Sequence, residues 1–572
     1  MRSVPSVVLA LLAAVASPSA AQRPPAAGAR FAVSFPAVAR GESLTGRVFV
    51  FVTMDSSPEP RFQAGEIGLT APFFGRDVSA LAPSATVIVD ASAQGFPLHS
   101  VAELPEGDYY VQAVANVYTR FDRADGHSIW VHMDQWEGQH LTSSPGNLFS
   151  DARRVHIAAG RVIPLRLTHV IPPVTVPEDT RWIKHVKIQS TLLTRFWGRP
   201  MYLGAVVLLP AEYDEHPNVR YPVDYEQDHF SLAPPYHFQT TAPVPVTERE
   251  AGSRAWVINL RRGEGYRLYQ DWSSADFPRA LMVTFLHPTP YFDDSYAVNS
   301  ANNGPYGDAI MTELIPYIES HFRIIPRAYA RVLSGGSTGG WESLALQAYH
   351  PDFFGGAWIY YPDPVDFHRW ITSDVYADDD AYLAPGTRWL PHERPFMRTP
   401  EGQPMLATRQ LDQLERTLGT HGRSAEQQQA WEAVYGPVGR DGYPTPLWNH
   451  ETGAIDHRVT IYMRDHGYDL AAYIHDHWPQ IGGQLAGKLH VYAGDMDHFY
   501  LNLAVYRLQE MLEALRDPLY GGSFTYGRPT KGHGIRPTTT GAMLRVMAAE
   551  IARNAPAGAE NAWHYRVVVT AP

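Results

Sequence analysis

The sequence predicts an α/β catalytic domain with a large insertion, preceded by an all-β sandwich, and three observations predict it. Segments 31–35, 47–52, 85–89, 109–118 and 162–170 read as strands separated by turn residues, with no helical period between them. A short apolar strand, the pentapeptide Gly335-Gly336-Ser337-Thr338-Gly339 and an apolar-periodic helix follow one another later in the chain. About 120 residues, 367–487, separate that helix from the next clear strand, far more than a connection in such a fold needs.

The chain opens on Arg2, an apolar run over 7–16 and the small-residue triplet Ser19-Ala20-Ala21. This pattern predicts an export signal over 1–21 and a periplasmic or secreted protein; the run is too short to span a bilayer. The 572-residue chain has no cysteine. The expected protein therefore has no disulfide, no lipid-anchored N-terminus and no cysteine nucleophile, and relies on packing.

The strand series places an all-β, immunoglobulin-like sandwich over 30–173. The absence of repeats argues against a propeller, and the Pro-rich stretch 172–177 reads as a stiff linker. The expected role of this domain is to pack beside the active site and shape its mouth, with carbohydrate binding as the sharper alternative.

The pentapeptide fits G-x-S-x-G on a strand-to-helix turn. A serine there is lifted clear of the sheet, and small residues two before and two after let the backbone turn without Cβ clashes. The N–H groups of the following helix favour negative charge at the same point. A serine hydroxyl is a weak nucleophile, so Ser337 needs partners, which follow such an elbow in the order acid, then histidine. Segment 488–493 reads as a buried strand leading into Gly494-Asp495-Met496-Asp497. Asp497 is the preferred acid, and Asp495, on the same turn, is its rival. After one more helix (501–515) and a short strand (524–526) comes Lys531-Gly532-His533-Gly534, whose glycines leave His533 free to reach a neighbouring loop. Order and spacing make Ser337, Asp497 and His533 the candidate triad.

Over 182–555 the chain resembles the putative-esterase family of α/β-hydrolases, which contains S-formylglutathione hydrolase, feruloyl esterases and the siderophore (enterochelin-type) esterases. The matching pieces are segments 205–213 and 220–223, the run Gly304-Pro305-Tyr306-Gly307-Asp308-Ala309 with 313–318 after it, the elbow extended through Gly340, and His350-Pro351-Asp352-Phe353-Phe354. The resemblance implies an α/β-hydrolase fold, the same triad and no cofactor. It also implies an oxyanion hole made by the backbone N–H of Thr338 and a donor after the third strand. There the family has a His-Gly pair, whereas this chain has Asp228-His229, which leaves Phe230 N–H as the candidate donor. Asp224, Glu226 and Asp228 would oppose an oxyanion unless they point away.

The 367–487 insertion is expected to cap the nucleophile. It carries Asp378-Asp379-Asp380, Trp448-Asn449-His450, Asp456-His457, Arg464-Asp465-His466 and His475-Asp476-His477-Trp478. None of these has convincing metal-ligand spacing, so no metal is expected. The net charge of −12 is spread along the chain without a lysine–arginine cluster, which argues against nucleic acid as a partner. The resulting expectation is an exported serine carboxylesterase acting on a small-molecule or polymer-linked ester. The alternatives are a serine peptidase of the prolyl-oligopeptidase kind and a non-catalytic ligand-binding protein on the same scaffold.

Overall fold

A computed structural model describes residues 28–132, 140–228, 232–244, 254–291, 294–386 and 389–564. The expected export signal lies outside the described residues, as does Phe230. The larger half of the chain is built on an eight-stranded sheet, numbered here β1 Ile183–Ser190, β2 Met201–Leu208, β3 Val223–Gln227, β4 Leu281–Leu286, β5 Arg331–Gly336, β6 Gly356–Tyr360, β7 Leu489–Gly494 and β8 Ser523–Gly527. The spatial order is β1-β2-β4-β3-β5-β6-β7-β8. β2 runs antiparallel to β1 and β4, and the other neighbours are parallel. This is an α/β-hydrolase sheet with the elbow at the carboxyl end of its central strand β5.

The physical reason for the apolar runs is burial on both faces: every residue of β3, β4 and β6 is buried. Helix α1 (Arg254–Trp272) sends Leu268 and Trp272 into the core, and α2 (Thr338–Tyr349), which follows the elbow, is buried from Thr338 to Ala348. A helix enclosed on all sides needs no solvent-facing stripe, and its few polar side chains, Glu342, Ser343 and Gln347 among them, are buried with the rest.

The N-terminal strands form two main sheets, beside a small hairpin of Thr119–Asp122 and Ser128–Val131. A three-stranded one holds Val162–Arg166, Arg30–Ser34 and Thr86–Val89; a seven-stranded one has Leu44–Thr53 between Gly107–Val117 and Phe73–Leu81. The single strand expected over 162–170 is in fact two, Val162–Arg166 in one sheet and His169–Val170 in the other. Strand Leu44–Thr53 is buried almost throughout because it has two cores to serve. Val48, Val50 and Val52 pack with Phe31 and Val33 between the sheets, whereas Phe49 and Phe51 join the core of the hydrolase half. At that junction Arg47 donates from Nε to Thr417 O (2.9 Å) and from Nη2 to Arg416 O (3.1 Å).

Between β6 and β7 lies a long excursion containing the strand pair Pro395–Arg398 and Pro404–Ala407 and helices that include α3 (Thr408–Leu418) and α4 (Gln427–Tyr435). Its interior mixes rings with charge. Trp370 meets Trp431 edge-on at 5.2 Å. Glu415 accepts the backbone N–H of Gln428 and Gln429, both at 2.9 Å, and Glu432 holds His450 Nε2 at 3.0 Å. The hydrolase half also holds α5 (Asn502–Ala514) and α6 (Thr540–Asn554). Among the described residues no helix is long and apolar enough to cross a membrane.

Candidate active site

β5 ends in Gly335-Gly336 and α2 begins at Thr338, so Ser337 alone makes the turn, at φ 57° and ψ −120°. A non-glycine residue held there stores roughly 1–3 kcal/mol of backbone strain, and such strain persists only where the surroundings enforce it. They do so by close approach. A β-carbon on Gly335 would lie 2.3 Å from Gly339 O, and one on Gly339 would lie 2.1 Å from Gln227 O on β3. Only glycine fits either position.

His533 and Asp497 come together from the loops after β8 and β7. His533 Nδ1 lies 2.8 Å from Asp497 Oδ2, and Asp497 is fully buried. The other carboxylate oxygen of Asp497 accepts Phe499 N at 2.9 Å and Leu501 N at 3.3 Å, which fixes the carboxylate plane. Asp495 turns to different work: it accepts Lys531 N at 2.8 Å and Thr530 N at 3.2 Å, pinning the loop that presents His533. The ring of His533 is held edge-on by Tyr361 (4.6 Å) and Phe499 (5.0 Å). Tyr361 also borders the elbow, since a β-carbon on Gly336 would lie 2.5 Å from its hydroxyl. Imidazole and serine thus share one wall.

The Ser337 hydroxyl itself points elsewhere. Its Oγ donates to Asp363 Oδ1 at 3.2 Å, and among the described residues no hydrogen bond joins it to His533. Asp363 is buried just past β6, and its Oδ2 accepts from Tyr296 OH (2.7 Å), Thr338 Oγ1 (3.1 Å), Trp431 Nε1 (3.2 Å) and Gln427 Nε2 (3.4 Å) among the described residues. The sequence reading did not include Asp363. One signal was available, an acid at the carboxyl end of the strand next to the nucleophile strand, where open α/β sheets place their ligands.

The carboxylates that seemed to threaten the oxyanion position are spent on neighbours. Asp224 accepts Ser334 Oγ (2.9 Å) and Tyr236 OH (3.2 Å), and Glu226 accepts Thr284 Oγ1 (2.8 Å) and Tyr236 N (3.0 Å). Burial pushes the Asp224 carboxyl up to about 7 and that of Glu226 to about 8, which favours their neutral forms. Asp228 is exposed. Of the two candidate donors, Thr338 opens α2, and Phe230 lies outside the described residues.

The histidine–acid pairs of the 367–487 segment do not converge on Ser337. His457 Nε2 faces Asp379 at 3.4 Å, His475 faces its neighbour Asp476 at 3.0 Å, and His466 bonds Tyr462 O at 2.8 Å. A different group has donor types suited to a small cation. His287, Asp294 and Glu342 are buried behind the elbow, with one ligand atom of each within 4.8 Å of the others. The same three also pair among themselves, His287 Nδ1 with Asp294 at 3.7 Å and Nε2 with Glu342 at 3.8 Å.

Ser337 lines a small cavity of about 80 Å³. Its apolar wall includes Phe396, Trp431 and Phe499, with Ile67 contributed by the N-terminal half; Asp363 and Glu426 supply carboxylates.

A family model described as "Putative esterase" matches residues 200–363, a span running from the start of β2 past the elbow to Asp363. No curated protein matches the chain. Among solved structures, a ferulic acid esterase aligns at 14% identity over 65% of this chain and 98% of its own, with a TM-score of 0.31. S-formylglutathione hydrolase from Agrobacterium tumefaciens aligns at 11% identity over 66% and 97%, TM-score 0.30. The BES protein from Bacillus cereus aligns at 12% identity over 65% and 98%, TM-score 0.31.

Proposed function

We propose, from the premise that this chain carries a carboxylic-ester hydrolase domain of the esterase family, that it is an exported serine esterase using Ser337, His533 and Asp497. The observation that carries this reading is a strained serine on the strand-to-helix turn that shares a wall with a histidine held by a buried aspartate. A χ1 rotation carries Ser337 Oγ from Asp363 toward the imidazole. Oγ then attacks the ester carbonyl while His533 takes its proton. The tetrahedral oxyanion is held by Thr338 N–H and by a donor at Phe230. Collapse breaks the bond to the alkoxy oxygen, which leaves as the alcohol with the proton from His533. Water attacks the acyl-enzyme with His533 as base, the acid departs and the proton returns to Ser337. Asp497 keeps the imidazole in one tautomer throughout.

The same proposal assigns the 367–487 segment as a cap whose Glu426, Gln427 and Trp431 limit the acyl site, and the immunoglobulin-like N-terminal sandwich as a brace that shapes the mouth through Ile67. The 1–21 signal would deliver the protein to the periplasm or the medium. Fluorophosphonate labelling read by intact mass tests the reading. A single adduct on wild type, abolished in both Ser337→Ala and His533→Ala, is expected; an esterase activity that survives Ser337→Ala would sink it.

One observation favours a second reading, a ligand-binding protein on a hydrolase scaffold: Ser337 is bonded to Asp363 and not to His533. Absence of any adduct on wild type, together with ligand binding without turnover, would select it.

A further inference from the structure

The cavity at Ser337 is small and aromatic, yet two of its residues are carboxylates. Hydrolysing a simple ester requires neither of them: the triad already has its acid in Asp497, on the far side of the imidazole. Asp363 also sits where a carboxylate is unhelpful to an alkoxide or an oxyanion, 3.2 Å from the nucleophilic oxygen. Its orientation is enforced, because Tyr296, Trp431 and Thr338 tie down Oδ2 and leave Oδ1 turned to the serine. A carboxylate so placed is suited to a cation. The rings of Phe396, Trp431 and Phe499 exclude water around it, which strengthens such a pairing, and Glu426 lies on the same lining.

We propose that this cavity binds a small acyl group bearing an ammonium on the carbon next to the ester carbonyl, with Asp363 as its counter-ion. The inference rests on the serine-esterase reading and names its substrate class, the α-aminoacyl esters. When Oγ lies at attacking distance, roughly 3–3.5 Å from the carbonyl carbon, the adjacent ammonium falls within reach of Asp363 Oδ1. The substrate's arrival would take that oxygen from Ser337 and release the hydroxyl to His533. Counter-ion binding and nucleophile release are then one event. The volume of about 80 Å³ restricts the side chain to a small one.

The test compares L-alanine benzyl ester with benzyl isobutyrate, in which a methyl replaces the ammonium at nearly the same size. Each kcat/KM is divided by that ester's rate constant with hydroxide, which removes the intrinsic activation by the charged group. A normalised preference for the alanyl ester of about tenfold or more is expected, the scale of a charge-assisted hydrogen bond. In Asp363→Asn that ratio should fall toward one, whatever the absolute rates. Equal rates, a preference for isobutyrate, or a preference that survives in Asp363→Asn would overturn the proposal while leaving the esterase reading in place. Turnover of neither ester, with no fluorophosphonate adduct on Ser337, would remove both. Should Asp363→Asn fail to fold, wild type alone decides: 1-aminoethylboronic acid should inhibit at least about tenfold more tightly than isopropylboronic acid, and equal inhibition would overturn the assignment.

Discussion

The loops that leave β6 and β7 each place a buried aspartate at the site, and the two differ in what they face. Asp497, after β7, meets an imidazole and completes its coordination with two backbone N–H groups. Asp363, after β6, meets the nucleophile itself and completes its coordination with side chains, two of them from α4. Residue type and burial are the same. The donors each collects decide its role: backbone donors from its own loop make Asp497 a fixed part of the scaffold, whereas donors from a distant helix tie Asp363 to the excursion between β6 and β7. In the proposed mechanism, catalysis and selectivity are thus assigned to different parts of the chain.

Asp497→Asn is the largest test of that contrast. With the wrong imidazole tautomer favoured, kcat on a neutral ester should drop by about 10³–10⁴. Asp363→Asn on the same ester should cost only about tenfold, the scale of one hydrogen bond to the hydroxyl. Comparable losses would erase the distinction. Tyr296→Phe removes the shortest bond to Asp363 Oδ2 (2.7 Å), and should lower stability by about 1 kcal/mol and weaken discrimination between the alanyl and isobutyryl esters. Chemical denaturation and paired kinetics would show both effects.

The smallest expected effect concerns carboxylates that belong to neither loop. Burial raises Asp224 to about 7, Asp412 to about 6, and Glu226 and Glu415 to about 8. All four therefore hold protons in the folded state at pH values where the unfolded chain has lost them. Their stabilising contribution is complete below the ordinary carboxylate range and disappears as pH rises through 6 to 8. For His450, burial lowers the imidazole but Glu432 outweighs it and raises it to about 10, so its contribution is lost over a higher range in the same direction. The melting temperature should fall by several degrees between pH 5 and 9, and Glu415→Gln should flatten part of that slope. A midpoint that rises over this range would contradict the assignment.

Much of this was legible in the chain because local rules carried it. Glycine spacing around Ser337 announced the turn, since two of those positions admit no β-carbon. Chain order then led from Ser337 to Asp497 and His533, which the fold brings to one place. Periodicity could not separate Asp495 from Asp497, because both lie on one turn, and only the partners they reach distinguish them. It also ran 162–170 together as one strand, because the chain passes from one sheet to the other without a strong turn signal.

What the sequence by itself determined is therefore the skeleton of the candidate site: an elbow, an acid and a histidine in a fixed order, written in residues whose backbone demands are local. What only the tertiary structure decided is the company the nucleophile keeps. Asp363, Tyr296 and the α4 pair Gln427 and Trp431 come from three separate stretches of the chain and meet at one carboxylate. Ile67 reaches the same cavity from the N-terminal half, whose central strand alternates its side chains between two cores. Side-chain patterns report which face of an element is buried, but not what is buried against it, and the surroundings of Ser337 are made of that second kind of information.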